Sequence, residues 1–577
     1  MGTGVRDFTR VTDEELPLNR FYHWERERAG LPFLTQPFNG GNVREWTWSQ
    51  AAGEIRRIAA YLKAQNWEPG SHIAILSKNC AWWIMADLAI WMAGHVTVPI
   101  YASVRAESVR QILDHSEAKA CFVGPTDERE AALLGIPSSV HCIHFPTVPD
   151  GPGPNWNSIV ASSPALDGQP TRRATDLATI FYTSGTTGVP KGVMQSFTAL
   201  AFVAKTLAAR LSVLGQPQRG ISYLPLAHIF ERSGTEMPAV IFGWHVFFTE
   251  GLETFIADLQ RARPTIFLAV PRILFKLHQG VLQKVSGEKL NRLLRTPFVA
   301  RVARKRVLAQ LGLDGAHYAA CGAAPLPPDL LLWYRRLGLN LLEGYGLTEG
   351  LITHLPKPGY LRPGYIGTAL DGVEVRRDTN GEMLLRSPMN MMGYYKDPKS
   401  TQEAFTPDGF LRTGDIIELE PDGQAKIIGR IKEQFKTSKG KYVTPAPIET
   451  RLVAHPAVES CCLMGAGLPS PFAVIVLTPE ARERAADPAA RQELEKSLTK
   501  TLDEVNAQLE HHEQVAFLAI VNGPWTISNG LLTPTLKFKR TSLESLYLPH
   551  IDEWKAHNRR IVWQDEQEVE KTEHAGG

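Results

Sequence analysis

The chain contains the segment Tyr182-Thr183-Ser184-Gly185-Thr186-Thr187-Gly188-Val189-Pro190-Lys191-Gly192. Its glycines allow the backbone to come close to a ligand, and its hydroxyl groups can donate hydrogen bonds to an anion. The segment follows the apolar, partly β-branched run from Leu177 to Tyr182, which predicts a buried strand that ends at this loop. We therefore predict that the loop binds the phosphates of a nucleotide through Thr183, Ser184, Gly185, Thr186, Thr187, Gly188 and the mobile cation Lys191.

The spacing within this segment differs from that of the common P-loop, in which Gly-Lys is followed directly by Ser or Thr. Here Lys191 follows Pro190 and precedes Gly192. The pattern therefore predicts a different kind of nucleotide chemistry. The alternative, a solvated turn rich in Gly, Ser and Thr, explains a few such residues more easily than a whole segment in this order.

The bulk composition describes a folded protein of several domains. The chain has 577 residues, of which 44% are hydrophobic and 21% are charged, and single hydrophobic cores stop growing well below this length. The 62 basic and 60 acidic residues leave a net charge of +2, which is too balanced to predict a nucleic-acid partner. Small acidic ligands remain compatible with this balance.

The cysteines and the first residues indicate a reducing, cytoplasmic location. The six cysteines lie in apolar segments without the spacing of metal ligands, which predicts buried thiols. Residues Met1 to Arg20 include acidic side chains and no apolar core, so we expect neither a secretory signal nor, given the first six residues, myristoylation. The most apolar stretch, Trp82 to Tyr101, contains Asp87, His95 and Pro99, which favours a core helix followed by a strand over a membrane span.

Helices and strands are predicted to alternate in the first part of the chain. Thr47 to Gln50 form a capping-box pattern, and the helix that follows is expected to end near Trp67. Strands are expected at His72–Leu76, Lys119–Val123 and Thr265–Val270, which favours α/β layers. The Gly- and Pro-rich residues from Pro146 to Pro170 are typical of a surface connection.

The later part of the chain has a different pattern. From Gly364 onward, short strands and turns dominate, with a turn predicted at Thr379-Asn380-Gly381. After Lys432, three apolar runs and one charged helical stretch, Pro479 to Leu509, predict a smaller α/β domain. The polar tail from Glu553 to Gly577 is predicted to be frayed or disordered.

Four further segments follow the phosphate loop in a recognisable order: Glu343 to Glu349, Leu411 to Asp415, Ile428 to Glu433 and Leu532 to Arg540. Together they resemble the adenylate-forming superfamily of acyl-CoA synthetases, luciferases and peptide-synthetase adenylation domains, from about Trp46 to about Arg540. The resemblance implies an α/β fold with a large N-terminal domain (1–431) of layered α/β subdomains plus a small β subdomain. It also implies a hinge to a smaller, mobile α/β domain (432–577).

The resemblance implies a two-step reaction with ATP, Mg²⁺ and CoA, in which a carboxylate forms an acyl-adenylate and then a thioester. It implies that Glu349 holds Mg²⁺, that Thr348 donates to the α-phosphate, and that Lys537 is the catalytic cation. Because Leu536 stands where many members have Gly, Lys539 remains an alternative to Lys537. The resemblance assigns the adenine slot to Gly322, Ala323, Ala324, Tyr345 and Gly346. It assigns ribose binding to Asp415 and Arg430, the hinge to Lys432, and the passage for the pantetheine arm to Gly440.

The acid is implied by a further resemblance. Ser222 to Arg232 is similar to the segment of long-chain fatty acid–CoA ligases in which His228 would border the carboxylate. Ser196-Phe197 departs from the His-x-Asn motif of many relatives, which leaves the entrance to the acid site open. The alternatives are a medium-chain or aryl-CoA ligase, a fatty acyl-AMP ligase that loads a carrier protein, and a non-catalytic adenylate-binding protein. A peptide-synthetase module is less favoured, because no carrier domain follows.

One basic segment remains outside these motifs. Five cations alternate with apolar residues between Arg295 and Leu308, which is compatible with a helix on an anionic membrane surface. We favour a solvated basic face, because charges on a helix need no partner. Peripheral contact with the inner face of a membrane and a homodimer both remain open. The cations of the segment are Arg295, Arg301, Arg304, Lys305 and Arg306.

Overall fold

The computed structural model describes residues 10–38, 40–149, 151–184, 190–360, 362–533 and 537–564. Contacts divide the chain into two compact units. The first contains most of the chain up to Lys426, and the second contains Asp378–Met383, Gly414–Glu418 and the chain from Ile427. Outside the described residues lie 185–189 of the phosphate loop, the side chain of Ser184, residues 534–536 of the lysine motif, and 565–577 of the tail.

The elements up to Arg430 are short and alternate in type. The strands are β1 Pro32–Phe38, β2 Asn42–Thr47, β3 His72–Leu76, β4 Val96–Ile100, β5 Ala120–Val123, β6 His141–His144, β7 Leu177–Ser184, β8 Pro190–Ser196, β9 Arg219–Ser222, β10 His245–Phe248, β11 Ile266–Ala269, β12 Tyr318–Cys321, β13 Leu341–Glu343, β14 Tyr345–Leu347, β15 Leu351–Leu355, β16 Thr368–Ala369, β17 Glu374–Arg377, β18 Glu382–Arg386, β19 Gly393–Tyr394, β20 Leu411–Leu419 and β21 Ala425–Arg430. The helices are α1 Pro17–Glu27, α2 Trp48–Ala64, α3 Ala81–Met92, α4 Ala106–Ser116, α5 Arg129–Leu134, α6 Trp156–Ser162, α7 Phe197–Arg210, α8 Ile229–Glu231, α9 Met237–Phe242, α10 Phe255–Ala262, α11 Pro271–Lys284, α12 Gly287–Arg295, α13 Pro297–Gln310, α14 Pro328–Arg336 and α15 Pro398–Ala404.

The largest sheet carries the phosphate-loop segment. Its strand order is β19-β8-β7-β4-β3-β5-β6, in which β7, β4, β3, β5 and β6 are parallel and β8 is antiparallel to β7. The register pairs Thr183 with Lys191, so these two residues flank the segment 185–189. The predicted strand before the loop is thus confirmed, and it ends at Ser184.

A separate parallel sheet, β11-β12-β13, has two apolar faces. Successive residues of a strand point to opposite faces, so Ile266 and Leu268 pack into one core whereas Phe267 and Ala269 pack into another. The second core also includes residues of α11, α12, α13 and α14. These helices therefore cover one face of the sheet and leave its other face to the main core.

Several predictions for this unit are confirmed. Thr47 accepts a hydrogen bond from the amide of Gln50 at 3.2 Å, and the Gln50 side chain accepts one from the amide of Thr47 at 2.9 Å, which is a complete capping box. The apolar stretch from Trp82 forms the buried helix α3 followed by β4. Within the residues that the structure describes, no helix combines the length and apolar character of a membrane span.

Two predictions for this unit are wrong in detail. The helix α2 ends at Ala64 rather than near Trp67. The connection from Pro146 to Pro170 includes α6, which Asn155 caps, and Trp156 at its start is fully buried. The Trp156 indole donates to Glu54 at 2.7 Å, so a single aromatic anchors a helix too short to show a sequence period.

The second unit contains its own sheet. Its strands are β22 Phe435–Lys436, β23 Tyr442–Val443, β24 Val458–Met464, β25 Phe472–Leu477, β26 Leu518–Ile520 and β27 Ile561–Trp563, and its helices are α16 Pro445–Val453, α17 Pro479–Arg484, α18 Pro488–Asn506, α19 Arg540–Tyr547 and α20 Ile551–Ala556. The sheet order is β24-β25-β26-β27, with one hydrophobic cluster on each face. An α/β fold with a large and a smaller part is therefore confirmed.

One prediction for the second unit is confirmed and one is wrong. The stretch from Pro479 to Leu509 is helical as predicted and consists of two helices, because Asp487 accepts a hydrogen bond from the amide of Ala490 and caps a new helix at Pro488. The start of the tail is folded: α20 continues to Ala556, and β27 extends the sheet with Trp563 only 3% exposed. A strand of three residues is too short to show a hydrophobic pattern in the sequence alone.

Candidate active site

The main core contains a narrow apolar cavity. Residues of β11, β12 and β13 form one part of its wall. Residues of α7 and of the segment around α8 and α9 form another part. Five residues that the sequence assigned to substrate binding line it, namely His228, Gly322, Ala323, Tyr345 and Gly346. The remaining wall is largely aliphatic and aromatic and includes Leu207, Leu211, Trp244, Leu268 and Leu342. The structure thus places the predicted adenine segment beside a space suited to an apolar group.

The loop after β12 begins at the carboxyl end of a parallel strand, where α/β sheets commonly bind ligands. The carbonyl oxygen of Cys321 accepts a hydrogen bond from the amide of Gly344 at 2.8 Å, which joins this loop to the start of β14. Ala323 has a φ of 67°, a left-handed conformation that strains a residue with a side chain. The loop is thus held in one shape, with Ala324 directly after the strained residue.

Tyr345 and Gly346 lie on β14, which pairs with β15. The Tyr345 ring meets the ring of the buried His354 edge to face, with centroids 5.9 Å apart. An added Cβ on Gly346 would overlap the carbonyl oxygen of Leu351, so only glycine fits there. These contacts fix the backbone that presents the Tyr345 ring.

His228 caps the short helix α8. Its Nδ1 accepts a hydrogen bond from the amide of Phe230 at 3.1 Å, so in the neutral ring the proton is on Nε2. The helix continues through a π-helical turn, Arg232–Glu236, into α9. In that turn the fully buried Arg232 donates to Glu236 at 3.0 Å and also pairs with Asp87, so it belongs to the core and not to the cavity wall.

Thr348 and Glu349 follow β14 and are held by three hydrogen bonds. The Tyr394 hydroxyl donates to Glu349 Oε1 at 2.9 Å, and the amide of Met391 donates to the Glu349 carbonyl oxygen at 2.7 Å. The buried Gln195 donates to the Thr348 carbonyl oxygen at 2.9 Å. Burial, with the neighbouring carboxylates of Glu349 and Asp397, raises the pKa of Tyr394 well above its usual range, so the phenol stays a donor.

Lys191 lies beside the same segment. Its Nζ donates to Ser400 Oγ at 2.6 Å, is 3.7 Å from Asp397 Oδ2, and is 5.1 Å from the centroid of the Tyr394 ring. Tyr394 therefore contacts both Lys191 and Glu349, whereas Asp397 and Ser400 contact Lys191. The predicted phosphate-binding cation Lys191 and the predicted metal ligand Glu349 thus both contact the segment from Tyr394 to Ser400.

The other predicted residues lie in the second unit. Arg430 donates from Nε to Asp415 Oδ1 at 2.9 Å, and Asp415 is only 3% exposed. Lys432 is exposed in a 3₁₀ turn, and Gly440 has a φ of 73° at the exposed tip of the β22–β23 hairpin. Lys537 is exposed, and its carbonyl oxygen accepts a hydrogen bond from the amide of Thr533 at 2.8 Å. The structure thus groups the predicted residues in two sets, one in each unit.

Sequence reasoning missed several residues of this site. Tyr394, Asp397, Ser400 and Gln195 contact the predicted ligand-binding residues from positions distant in the chain. Asp397 accepts a hydrogen bond from the amide of Ser400 at 2.9 Å as the N-cap of α15. The pattern Asp-Pro-Lys-Ser indicates a helix start, but nothing in it indicates a contact with Lys191.

Glu343 was also missed as a supporting residue. It lies at the end of β13 and accepts a hydrogen bond from the amide of Leu326 at 3.0 Å, which ties the loop after β12 to the neighbouring strand. Burial raises the pKa of Glu343 to about 7. Its other carboxylate oxygen is buried without a hydrogen-bond partner among the described residues. The charged form of Glu343 therefore destabilises the folded protein.

We expect Glu343→Gln to stabilise the protein at about pH 8 and to leave its stability nearly unchanged at about pH 5. Between the ordinary pKa of Glu and about 7, the folded state keeps a proton that the unfolded state loses, so stability falls as pH rises through this window. The free energy of unfolding at about pH 8 should rise by about 1–3 kcal/mol. Denaturant unfolding at both pH values measures the change, and an equal gain at both would contradict the assignment.

Comparison with known proteins agrees with these features. The AMP-binding enzyme family matches residues 21–395, and the AMP-binding enzyme C-terminal domain matches residues 432–558. The long-chain-fatty-acid–CoA ligase FadD15 of Mycobacterium bovis is 30% identical, with 92% of this chain and 95% of that protein covered. The peroxisomal long chain acyl-CoA synthetase 7 of Arabidopsis thaliana is 29% identical, with 92% of this chain and 85% of that protein covered.

The fold is also similar to that of solved structures. The adenylation domain of a carboxylate reductase from Mycobacterium chelonae matches with a TM-score of 0.78 at 24% identity, covering 95% of this chain and 91% of that chain. This likeness concerns the fold alone. The family matches together span both units, and they include the phosphate-loop segment, the adenine-slot residues and Lys537. The chain therefore belongs to the AMP-binding enzyme family of adenylate-forming acid–thiol ligases.

Proposed function

We propose that this protein is a long-chain fatty acid–CoA ligase. ATP and the acid would give acyl-AMP and pyrophosphate, and CoA would then displace AMP to give acyl-CoA. The observation that carries the proposal is the apolar cavity beside Tyr345 and Gly322, because an aliphatic chain needs a water-free wall of this kind. The relatives that are named as long-chain ligases support the same choice.

In the first step, a carboxylate oxygen of the acid attacks the α-phosphorus of ATP, an O–P bond forms, and the bond to pyrophosphate breaks. Both reactants are anionic, so the protein must supply cations and hydrogen-bond donors where negative charge accumulates. In the proposal Lys191 binds the outer phosphates and Thr348 donates to the α-phosphate. Lys537 contacts the attacking carboxylate and the α-phosphate, which requires the second unit to close on the first during catalysis.

The residues around Glu349 fit Mg²⁺. A hard cation prefers carboxylate and phosphate oxygens, and Mg²⁺ is commonly bound by one or two carboxylates plus substrate phosphates. When bound, Mg²⁺ would neutralise charge on the phosphates. Tyr394 would hold the Glu349 carboxylate in place through its hydrogen bond.

The remaining residues would bind the adenine and ribose of ATP and the carboxylate end of the acid. Tyr345 would stack on adenine opposite the Gly322–Ala324 loop, and Asp415 with Arg430 would bind the ribose hydroxyls. His228 would lie at the carboxylate end of the acid, with the acyl chain in the cavity whose wall it shares. In the second step, the thiol sulfur of CoA attacks the acyl carbonyl carbon and AMP leaves with the electron pair of the broken C–O bond.

The same proposal assigns roles to the second unit. The boundary between domains 1–431 and 432–577 would act as a hinge at Lys432, which needs only a few backbone torsions to change. Gly440 would leave room for the pantetheine arm, because a residue without a side chain is least obstructive at the tip of the β22–β23 hairpin. These assignments come from the resemblance of the motifs and remain predictions.

The substrate is tested by measuring AMP release with a panel of acids, with and without CoA. We expect the highest kcat/KM with long-chain saturated or monounsaturated acids, and thioester formation only when CoA is present. A preference for benzoate-type or medium-chain acids would reject the long-chain assignment. Transfer to a carrier protein in place of CoA would favour a fatty acyl-AMP ligase, whereas acid binding without AMP release would favour a non-catalytic protein.

A further inference from the structure

The helices α12 and α13 carry an unusual concentration of positive charge. Between Lys284 and Gln310 the sequence has eight basic residues and one acidic residue, Glu288, whereas the whole chain has a net charge of only +2. Seven of the basic side chains lie on these two helices and are exposed: Lys289, Arg292, Arg295, Arg301, Arg304, Lys305 and Arg306. None of the seven forms an ion pair with a carboxylate in the described ranges.

The same surface exposes apolar side chains. Phe298 is 89% exposed, Val302 is 67% exposed and Val299 is 42% exposed. Burial of a phenylalanine that is this exposed to water would be favourable. Single exposed apolar residues are common on protein surfaces, whereas a cluster of them often marks an interaction site. Apolar side chains and cations thus occupy one continuous surface, formed by the exposed residues of α12 and α13, which we call the basic helical surface.

Helix geometry places the apolar residues away from the protein. Ala300 and Val307 are the buried residues of α13, and they mark the side of the helix that faces the core. At about 100° per residue, Phe298 and Val302 lie on the opposite side, with Lys305 in the same stripe. Arg301 and Arg306 flank the stripe on either side. The arrangement matches a helix that inserts apolar groups into a lipid boundary while its cations contact headgroups.

We propose that the basic helical surface binds an anionic lipid membrane. The excess of cations is complementary to anionic headgroups, and Phe298 and Val302 would bury their side chains among the acyl chains. A nucleic acid would satisfy the cations but would leave the apolar residues exposed, so the lipid surface is favoured. This proposal concerns binding alone and does not depend on which acid the enzyme activates.

The location of this surface gives binding a consequence for the enzyme. The helices α12 and α13 cover one face of the β11–β13 sheet, and the other face of that sheet lines the apolar cavity. Membrane binding through these helices would hold the cavity-bearing unit near a bilayer, where apolar acids dissolve. The sequence alone favoured a solvated face, because charges on a helix need no partner. The structure adds that Phe298 and Val302 are exposed beside those charges.

Flotation of the purified full-length protein with lipid vesicles tests the proposal. We expect binding to vesicles of phosphatidylcholine with phosphatidylglycerol, weakened by salt, and little binding to phosphatidylcholine alone. The variant Arg301→Glu/Lys305→Glu should bind at least about tenfold more weakly, because each basic residue near an anionic surface contributes about 1 kcal/mol. Phe298→Ser/Val302→Ser should also weaken binding about tenfold, while its binding stays sensitive to salt.

Matched controls distinguish binding by the basic helical surface from nonspecific binding through other exposed apolar residues. Leu134→Ser and Leu252→Ser replace residues that are 78% and 81% exposed elsewhere in the same unit, and both variants should bind vesicles like the wild type. Unchanged thermal melting of all variants shows that they are folded. Failure of the wild type to bind anionic vesicles would overturn the proposal. Tighter binding to duplex DNA than to vesicles, unaffected by Phe298→Ser/Val302→Ser, would overturn it in favour of a nucleic-acid partner.

Discussion

Lys537→Ala should reduce acid-dependent exchange of pyrophosphate into ATP by about 100-fold to 1,000-fold. The ammonium group is proposed to lie between two anions, so its loss raises the barrier for the first step and leaves most ground-state binding intact. The side chain is exposed in the second unit, so its removal should not change the melting temperature. Chemically prepared acyl-AMP should still react with CoA, because that step does not use the proposed contact.

Lys539→Ala is the matched control for this variant. Lys539 has the same charge, lies two residues further along and is also exposed. We expect it to retain exchange within a few-fold of the wild type. If Lys539→Ala loses exchange and Lys537→Ala keeps it, the assignment within the motif is wrong, and Lys539 is the catalytic cation. If neither variant loses exchange, neither lysine of this motif is the catalytic cation.

Glu349→Gln should lower kcat/KM for adenylate formation by at least about 100-fold. The amide keeps the volume of the side chain and can still accept from Tyr394, but it lacks the negative charge that attracts a divalent cation. The Mg²⁺ concentration needed for half-maximal exchange should rise together with the loss of rate. Exchange rates measured across a Mg²⁺ titration test both effects.

Tyr394→Phe provides a graded comparison for Glu349→Gln. It removes only the hydroxyl that donates to Glu349 Oε1 at 2.9 Å and keeps the carboxylate itself. Loss of such a supporting hydrogen bond commonly weakens metal binding by about 10-fold to 100-fold, so we expect a higher Mg²⁺ requirement with a smaller loss of maximal rate. An unaltered Mg²⁺ dependence in Glu349→Gln would remove Glu349 from the metal site.

The parts of the fold that could be predicted from the sequence are those that depend on interactions between neighbouring residues. The capping box at Thr47, the strand before the phosphate loop and the buried helix after Ala81 each depend on neighbouring residues, and each is confirmed. The short elements α6 and β27 depend on contacts with distant residues. Trp563 is buried because β27 joins the edge of a sheet, and no pattern within three residues could show this.

The candidate site was predictable only to the level of its motifs. Segments such as Tyr182 to Gly192 and Glu343 to Glu349 are recognisable because each carries its chemistry within a few residues. The contact of Lys191 with Ser400 joins positions 209 residues apart, and the hydrogen bond from Tyr394 to Glu349 joins positions 45 apart. Such pairs arise from the packing of β19 and α15 beside β8, which hydrophobic periodicity does not encode.

The central claim is that the protein transfers the adenylate group of ATP to a fatty acid carboxylate before CoA takes part. Exchange of radiolabelled pyrophosphate into ATP by the purified wild type, measured without CoA, tests this claim most directly. We expect label to enter ATP only when a long-chain fatty acid and Mg²⁺ are both present. Absence of exchange with every acid supplied, or exchange that requires CoA, would contradict the claim.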